Sequence, residues 1–301
     1  MKVSVIIPTY NRAHLVGQSI ESALNQTHKD LEVLIVDDAS TDQTYEAVKP
    51  YLERQEVRYL RHEQNKGHQA ARNTGIKNSS GEYVAFLDSD DTWIPQKIEL
   101  QLSAMSTKSA KCISVTGMWV IDTDGTKTKY LKRYNGYVYH QMLERHGPNY
   151  CCMVVPIECL RQIGFLDEST QAYADWDTCI TLSKHYEFIT VDEPCTIYRA
   201  NQPDAVTKNL VTRALAYQHI IEKNHKEMVR CIGKRGLARH YRNVAWIFYY
   251  AGEFKRYKAC ALQAFATYSK SPKTFLLAFS TLFGERIYRV TRPVGSLIYV
   301  A

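Results

Sequence analysis

The sequence predicts an α/β fold: a mostly parallel central sheet flanked by helices, with a helical appendage at the C-terminal end. Three observations predict it. Short apolar, β-branched runs alternate with helix-length stretches four times in the first hundred residues, the pattern of a doubly wound sheet. Polar and acidic side chains gather directly after those runs, where loops at strand C-termini build ligand sites in open sheets. Beyond residue 204 the strand signals stop and helical stretches take over, so 1–204 and 205–301 read as two parts. The 301 residues suffice for one large domain with an appendage, and 45% hydrophobic with 23% charged residues is a globular composition.

Val3-Ser4-Val5-Ile6-Ile7, closed by Pro8, reads as a strand covered on both faces, since it is nearly continuous in apolar residues rather than alternating. Thr9-Tyr10-Asn11-Arg12 follows as a polar loop and 14–25 as a helix; the glycine-rich turn of a dinucleotide-binding fold is absent. Residues 31–36 repeat the pattern and end in Asp37-Asp38-Ala39-Ser40-Thr41-Asp42, with Asp42 as a cap for a helix over 44–54. Asp37 and Asp38 thus stand at a second strand end, suited to accept hydrogen bonds from a base N–H or a sugar hydroxyl. Residues 57–60 form an edge-like strand. In the stretch from Asn65 to Gly75, Ala70, Ala71 and Gly75 permit close approach to neighbouring backbone, and Arg72 either bridges to an internal carboxylate or reaches a phosphate.

Gly81 turns the chain into a strand over 83–87 that runs into Asp88-Ser89-Asp90-Asp91-Thr92-Trp93. Three carboxylates in four residues repel one another, so a cation, a helix N-terminus or a basic group has to offset them. Hard oxygen ligands at a strand end suit Mg²⁺ or Mn²⁺, which keep waters and complete their shell with substrate phosphates. Asp91 is read as a cap of the helix that begins near Pro95. An amphipathic helix over 97–105, a strand over 112–121, a turn at Asp122-Thr123-Asp124-Gly125 and a strand over 126–130 come next. Tyr137, Tyr139, His140, His146 and Tyr150 make an aromatic and imidazole region of the kind that faces sugars, the histidines in structural roles. Further strands are expected over 151–155, 188–191 and 195–199, and a short helix over 157–163. Tyr173-Ala174-Asp175-Trp176-Asp177 opens a helix whose first-turn carboxylates suit its dipole. In the tail, 209–227, 237–251 and 253–269 read as helices.

The net charge of +7 conceals an asymmetry, +13 over 205–301 against −6 over 1–204. A basic tail meets nucleic acid, anionic lipid or acidic partners; with no nucleic-acid-binding motif ahead of it, nucleic acid is not expected. The apolar stretch Phe275-Leu276-Leu277-Ala278-Phe279, flanked by Lys273, Arg286, Arg289 and Arg292, is too short to span a bilayer. It either lies along an anionic leaflet or packs on the domain before it. Eight cysteines without a CxxC or paired Cys/His spacing read as reduced, buried small residues, and zinc is not expected. With the first strand at Val3 no signal peptide is expected, and no run of about 18 apolar residues appears. The expected location is cytoplasmic, with peripheral contact at the inner face of the plasma membrane left open.

Four motifs now stand in order: Pro8-Thr9-Tyr10-Asn11-Arg12, Val36-Asp37-Asp38-Ala39-Ser40, Asn65-x-Gly67-x-x-x-Ala71-Arg72-Asn73-x-Gly75 and Leu87-Asp88-Ser89-Asp90-Asp91-x-Trp93. Together, over residues 3 to about 105, they resemble the family 2 glycosyltransferases of the GT-A fold. The resemblance implies a metal-dependent, inverting transfer of a sugar from a nucleotide-diphosphate sugar, a UDP-sugar first, to a glycan or lipid-linked acceptor in polysaccharide, lipopolysaccharide or other glycan biosynthesis. It implies that Pro8, Thr9, Tyr10 and Asp38 hold the nucleoside, with Arg72 near the base or the phosphates. Asp88 would reach the ribose or a metal-bound water, Arg12 and Ser89 complete the nucleotide-sugar-binding set, and Asp90 would ligate Mg²⁺ or Mn²⁺. The resemblance continues to Asp175, the implied catalytic base, although Ala174 stands where the family carries a Glu. After Arg199, Ala200-Asn201-Gln202-Pro203 stands where it often places a histidine. Two other classes remain. A nucleotidyltransferase would need a Gly-rich triphosphate loop after the first strand, and residues 8–12 contain no glycine. A sugar-nucleotide-binding or scaffolding protein without catalysis is favoured by Ala174 and the missing histidine.

Overall fold

The computed structural model describes residues 1–200 and 209–282. Asn201, Gln202 and Pro203 and the arginines 286, 289 and 292 lie outside the described residues. Two compact units form. The first comprises 1–139, 147–169 and the chain from Ala174 onward to 200; the second comprises 140–146, 170–173 and 209–282.

The first unit is built on one sheet. β1 (Val3–Thr9) lies parallel to β2 (Leu31–Asp37) on one side and β4 (Tyr83–Phe86) on the other, with β3 (Arg58–Arg61) beside β2 at the edge. All seven residues of β1 are buried, which its near-continuous apolar sequence requires of a central strand. Its alternate side chains serve opposite faces. Val3, Val5 and Ile7 join a core with α1 (Val16–Leu24) and α2 (Thr44–Glu53), through Val16, Ile20, Ala23 and Val48. Ile6 points to the other face and meets α3 (His68–Asn78) at Gly75, where an added Cβ would lie 2.4 Å from Ile6. Only glycine lets that helix sit so close to the strand.

Beyond β4 the sheet becomes mixed. β5 (Thr92–Trp93), β6 (Cys112–Ile121), β7 (Lys127–Tyr130), β8 (Met153–Pro156) and β9 (Glu187–Arg199) extend it in the order β3-β2-β1-β4-β8-β6-β9-β5, with β7 paired to β6. β8 is antiparallel to β4 and β6, while β6 and β9 are parallel, so β8 joins two blocks of parallel strands. The two short strands expected over 188–191 and 195–199 are one strand. Its register against β6 shifts at Gly117, which accommodates the Asp192-Glu193-Pro194 interruption as a bulge. α4 (Lys97–Ser106) packs its buried Ile98, Leu102 and Met105 on this sheet. All eight cysteines are free, and seven are buried.

The second unit contains α8 (Leu210–Lys223), α9 (His225–Tyr250), α10 (Phe254–Thr267) and α11 (Pro272–Ser280). Asn209 caps α8, its Oδ1 accepting the Thr212 N–H at 3.0 Å. Gly233, at φ 68°, kinks α9 between the two helices that the sequence pattern separates. Residues 140–146 belong here because α9 holds them: the His240 Nε2 lies 2.9 Å from the Leu143 carbonyl oxygen, and the Arg239 Nη2 donates to Glu144 Oε1 at 3.2 Å. Tyr173 is held by α8, its hydroxyl accepting from Arg213 Nη2 at 2.9 Å and its ring lying 5.3 Å from that of Tyr217. His146 stacks on both tyrosines, a structural role as expected.

Candidate active site

β1, β2 and β4 run in the same direction, so their C-terminal ends deliver Thr9, Asp37, Asp38 and Asp88 to one edge of the sheet. Around β1 and β2 the carboxylates and loop amides are tied to neighbouring loops, while the buried Thr9 Oγ1 has no hydrogen-bond partner. The Asp38 N–H donates to the Thr9 carbonyl at 2.9 Å. Asn11, at φ 53°, accepts the Thr41 N–H on Oδ1 at 2.7 Å, and its own N–H donates to Ser40 Oγ at 2.9 Å. Asp37 accepts from the Ser40 N–H at 2.8 Å and from the Tyr59 hydroxyl. Asp38, 3% exposed, takes His62 Nδ1 and the Lys66 N–H on Oδ1 at 2.7 and 2.8 Å, and the Gly67 N–H on Oδ2 at 2.7 Å. Gly67, at φ 91°, turns its N–H toward that carboxylate. Pro8 lies within β1, Tyr10 is exposed at the loop tip, and the Arg12 N–H donates to Thr44 Oγ1 at 3.0 Å.

The end of β4 is built differently. Arg72, 5% exposed on α3, donates through Nη1 to Gln69 Oε1 at 3.0 Å and through Nη2 to Asp88. Of the two sequence-based readings of Arg72, the bridge to an internal carboxylate is the one present, and that carboxylate belongs to the aspartate cluster. Beneath the guanidinium lies the Tyr150 ring, 4.5 Å from its carbon. The Tyr150 hydroxyl accepts from Gln69 Nε2 at 2.9 Å and donates to the Ala174 carbonyl at 3.0 Å. α7 (Ala174–Ser183) therefore begins where Tyr150 fixes it, and its second residue is Asp175.

Asp175 lies in the field of both Arg72 and Asp88. Burial, opposed by the Trp176 N–H and Arg72 and assisted by Asp88, pushes its carboxyl up to about 6. His68 links the two strand ends electrostatically: burial and then Arg72 push its imidazole down to about 4, against Asp88 and Asp38. Ser89 is buried and Asp90 half-buried.

Two expectations need correction. Asp91 is not a helix cap: Thr92–Trp93 pairs with β9, and α4 starts at Lys97 with Gln96 ahead of it. Asp91 is instead buried, its Oδ1 accepting the Arg199 N–H at 3.3 Å while its Oδ2 has no hydrogen-bond partner. Burial, then Asp90 and Asp88, holds its carboxyl well above the ordinary carboxylate range. Tyr150, grouped by sequence with sugar-facing aromatics, is a buried platform under Arg72. His68 and Gln69, unassigned in the sequence reading, complete the site; a histidine beside a loop glycine is the signal that could have marked the first.

No cluster of three His, Cys, Asp or Glu side chains arranged to hold a metal occurs among the described residues. The donor set fits a cation held in part by substrate. The buried Asp91, one oxygen of which has no hydrogen-bond partner, lies in the field of Asp90 and Asp88, and Mg²⁺ or Mn²⁺ commonly uses one or two carboxylates with phosphates and water for the rest.

The family model described as Glycosyl transferase family 2 matches residues 4–167. The UDP-Glc:alpha-D-GlcNAc-diphosphoundecaprenol beta-1,3-glucosyltransferase WfgD of Escherichia coli is 32% identical over 200 residues, 66% of this chain and 78% of that protein. Uncharacterized glycosyltransferases of Rickettsia bellii and Rickettsia felis are 47% and 43% identical over 44% and 48% of this chain, which spans only 19% and 24% of their length. Among solved structures, Staphylococcus aureus TarS 1–349 in complex with UDP-GlcNAc superposes with a TM-score of 0.64 at 18% identity, covering 94% of this chain and 85% of that one. The mannosyltransferase PcManGT from Pyrobaculum calidifontis, in complex with GDP-Man and Mn²⁺, gives 0.64 at 18% identity over 97% and 82%. The shared architecture is the GT-A fold.

Proposed function

The chain belongs to glycosyl transferase family 2, and on that premise we propose that it catalyses a metal-dependent, inverting transfer of a sugar from a UDP-sugar to the hydroxyl of a lipid-linked glycan. The work of such an enzyme belongs in polysaccharide or lipopolysaccharide assembly, at the cytoplasmic face of the membrane and in contact with it. The observation that carries the reading is the Arg72–Asp88 pair stacked on Tyr150, with Asp175 in its field on a helix that Tyr150 itself positions. The donor and acceptor are those in the name of the Escherichia coli relative.

Thr9, Tyr10, Arg12 and Asp38 hold the nucleoside beside Pro8. Three of the roughly four lone-pair sites of the Asp38 carboxylate are taken by the chain, which leaves one on Oδ2 for a base N–H. Arg72, Asp88 and Ser89 would serve the ribose and diphosphate, and Asp90 would hold Mg²⁺ or Mn²⁺. When bound, the cation supplies compensation for the charge of the diphosphate. Asp175 accepts the proton of the acceptor hydroxyl as that oxygen attacks the anomeric carbon from the side opposite the diphosphate. A carboxyl near 6 is still ionised at neutral pH yet more basic than an ordinary aspartate, which suits a base. Tyr150 orients the first turn of α7 through the Ala174 carbonyl, so the absence of a Glu side chain there leaves Asp175 supported.

Incubation with a panel of nucleotide sugars, with Mn²⁺, with Mg²⁺ and with chelator, tests the proposal by diphosphate release and product stereochemistry. Turnover of a UDP-sugar that stops on chelation is expected. A folded chain that binds UDP but turns over no sugar nucleotide in the presence of lipid-linked acceptors would overturn it.

A further inference from the structure

Helix α11 buries Thr274 and Leu277 against its own unit and turns the opposite side outward. That outward side is not polar. Phe275, Leu276 and Phe279 on the helix and Leu282 in the turn just past its end are 54%, 63%, 48% and 73% exposed. Phe275 and Phe279 stack with centroids 6.2 Å apart, and Phe265 of α10 adds a third ring 6.3 Å from Phe275. Single exposed apolar residues are ordinary, but four large ones gathered on a docked helix and the turn that ends it mark an interaction surface.

The charge around the stripe selects its occupant. Residues 254–282 contain Lys255, Arg256, Lys258, Lys270 and Lys273 and no acidic residue. Lys270 and Lys273 are exposed at the start of the stripe. A second copy of the chain would bring one cationic surface against another, and four side chains fall far short of the ~800 Å² per partner of a stable dimer. A bilayer with anionic headgroups supplies both complements, acyl boundary for the rings and negative charge for the lysines. No helix among the described residues is long and apolar enough to cross a membrane, so contact of this kind is in the plane of the interface.

We infer that the outward face of α11 is a monotopic docking surface for anionic lipid, with Phe275, Leu276, Phe279 and Leu282 inserted at the headgroup boundary and Lys270 and Lys273 on the phosphates. The inference deepens the proposed action on a lipid-linked acceptor, because docking confines the enzyme to the surface that holds such acceptors.

Flotation of the 301-residue chain with phosphatidylcholine vesicles containing phosphatidylglycerol, and with phosphatidylcholine alone, tests it. Binding to the anionic vesicles only, weakened by salt, is expected. The Lys270→Gln, Lys273→Gln double variant should lose about fivefold per lysine, close to 30-fold for both. The Phe275→Ser, Phe279→Ser double variant should lose at least tenfold while keeping its UDP affinity, which shows that it is folded. Unchanged vesicle binding in both variants would overturn the inference, as would sedimentation as a dimer that the Phe275→Ser, Phe279→Ser change dissociates. Failure of the glycosyl-transfer reading registers separately: a chain that docks on vesicles but binds no UDP sinks that reading and leaves this one standing.

Discussion

The aspartates at the end of β2 and those at the end of β4 occupy equivalent places in a parallel sheet and have opposite surroundings. Asp37 and Asp38 are satisfied from within the chain, by the Ser40, Lys66 and Gly67 N–H groups, the Tyr59 hydroxyl and His62. Asp88 has Arg72, while the buried Asp91 has an oxygen with no hydrogen-bond partner and a carboxyl held well above its ordinary range. A buried polar atom without a partner costs about 1–3 kcal/mol, so the β4 loop is held in an arrangement that a ligand's positive charge would relieve. The β2 loop uses its carboxylates to build a wall; the β4 loop leaves one oxygen of the buried Asp91 without a donor. Residue type alone does not separate these roles, and the supply of nearby donors does.

The sharpest way to break this comparison is at Asp90. Asp90→Ala should abolish metal-dependent donor binding and leave the unfolding midpoint close to the parent's, because no wall is removed. Calorimetric titration with UDP and Mn²⁺ checks the first and thermal unfolding the second; metal-sensitive affinity like the parent's would return Asp90 to a structural role. Asp175→Asn comes next, with turnover expected to fall roughly 10²-fold or more while UDP affinity holds. The sign of the accompanying pH dependence is fixed by the raised carboxyl. Below about 6 the base is protonated, so kcat/KM of the parent should climb as pH rises through about 6 and level off above it. That limb should vanish in the variant. Asp38→Ala probes the other side of the comparison. Leaving the Lys66 and Gly67 N–H groups and His62 without their acceptor should cost about 2 kcal/mol of stability in the absence of any ligand, read by urea unfolding. Donor affinity should fall as well, because the proposed acceptor of the base N–H is removed.

How much of this was legible in sequence follows from how local each signal is. The strand Cys112–Ile121 was readable to the residue, because its apolar continuity is local and the Asp122-Thr123-Asp124-Gly125 turn bounds it directly. The order of the four N-terminal motifs located the β1, β2 and β4 ends without any structure. Asp91 was misread because its role depends on β9, about a hundred residues away, pairing with Thr92–Trp93 and delivering the Arg199 N–H. Tyr150 was misread for a like reason: whether an aromatic ring faces sugar or supports a guanidinium is decided by Arg72 and Gln69 from another element. The outward apolar stripe of α11 was visible as composition, but which residues face outward required the buried Thr274 and Leu277. Periodicity gives a helix its faces; only packing chooses between them.

Tyr59→Phe is the smallest and most selective test of the comparison. The Tyr59 hydroxyl donates to Asp37, and its ring packs edge-on against Tyr45 at 5.4 Å, so phenylalanine keeps the packing and removes one hydrogen bond to a fully buried carboxylate. The phenol is bound in its protonated form: burial, then the Asp37 carboxylate, pushes its ionisation well above the ordinary tyrosine range. A tyrosine raised in the folded state contributes stability that persists through neutral pH, so the loss in the variant should be flat from acid to neutral conditions above the carboxylate range. Its size should be about 1–2 kcal/mol, at the low end for a bond to a charged acceptor because the Ser40 N–H and Arg61 still face Asp37. If the β2 aspartates are wall and the β4 aspartates are site, this loss appears in urea unfolding and leaves both UDP affinity and turnover within a few-fold of the parent. A drop in turnover with stability intact would invert the assignment, making Asp37 a ligand-facing group and Tyr59 its regulator.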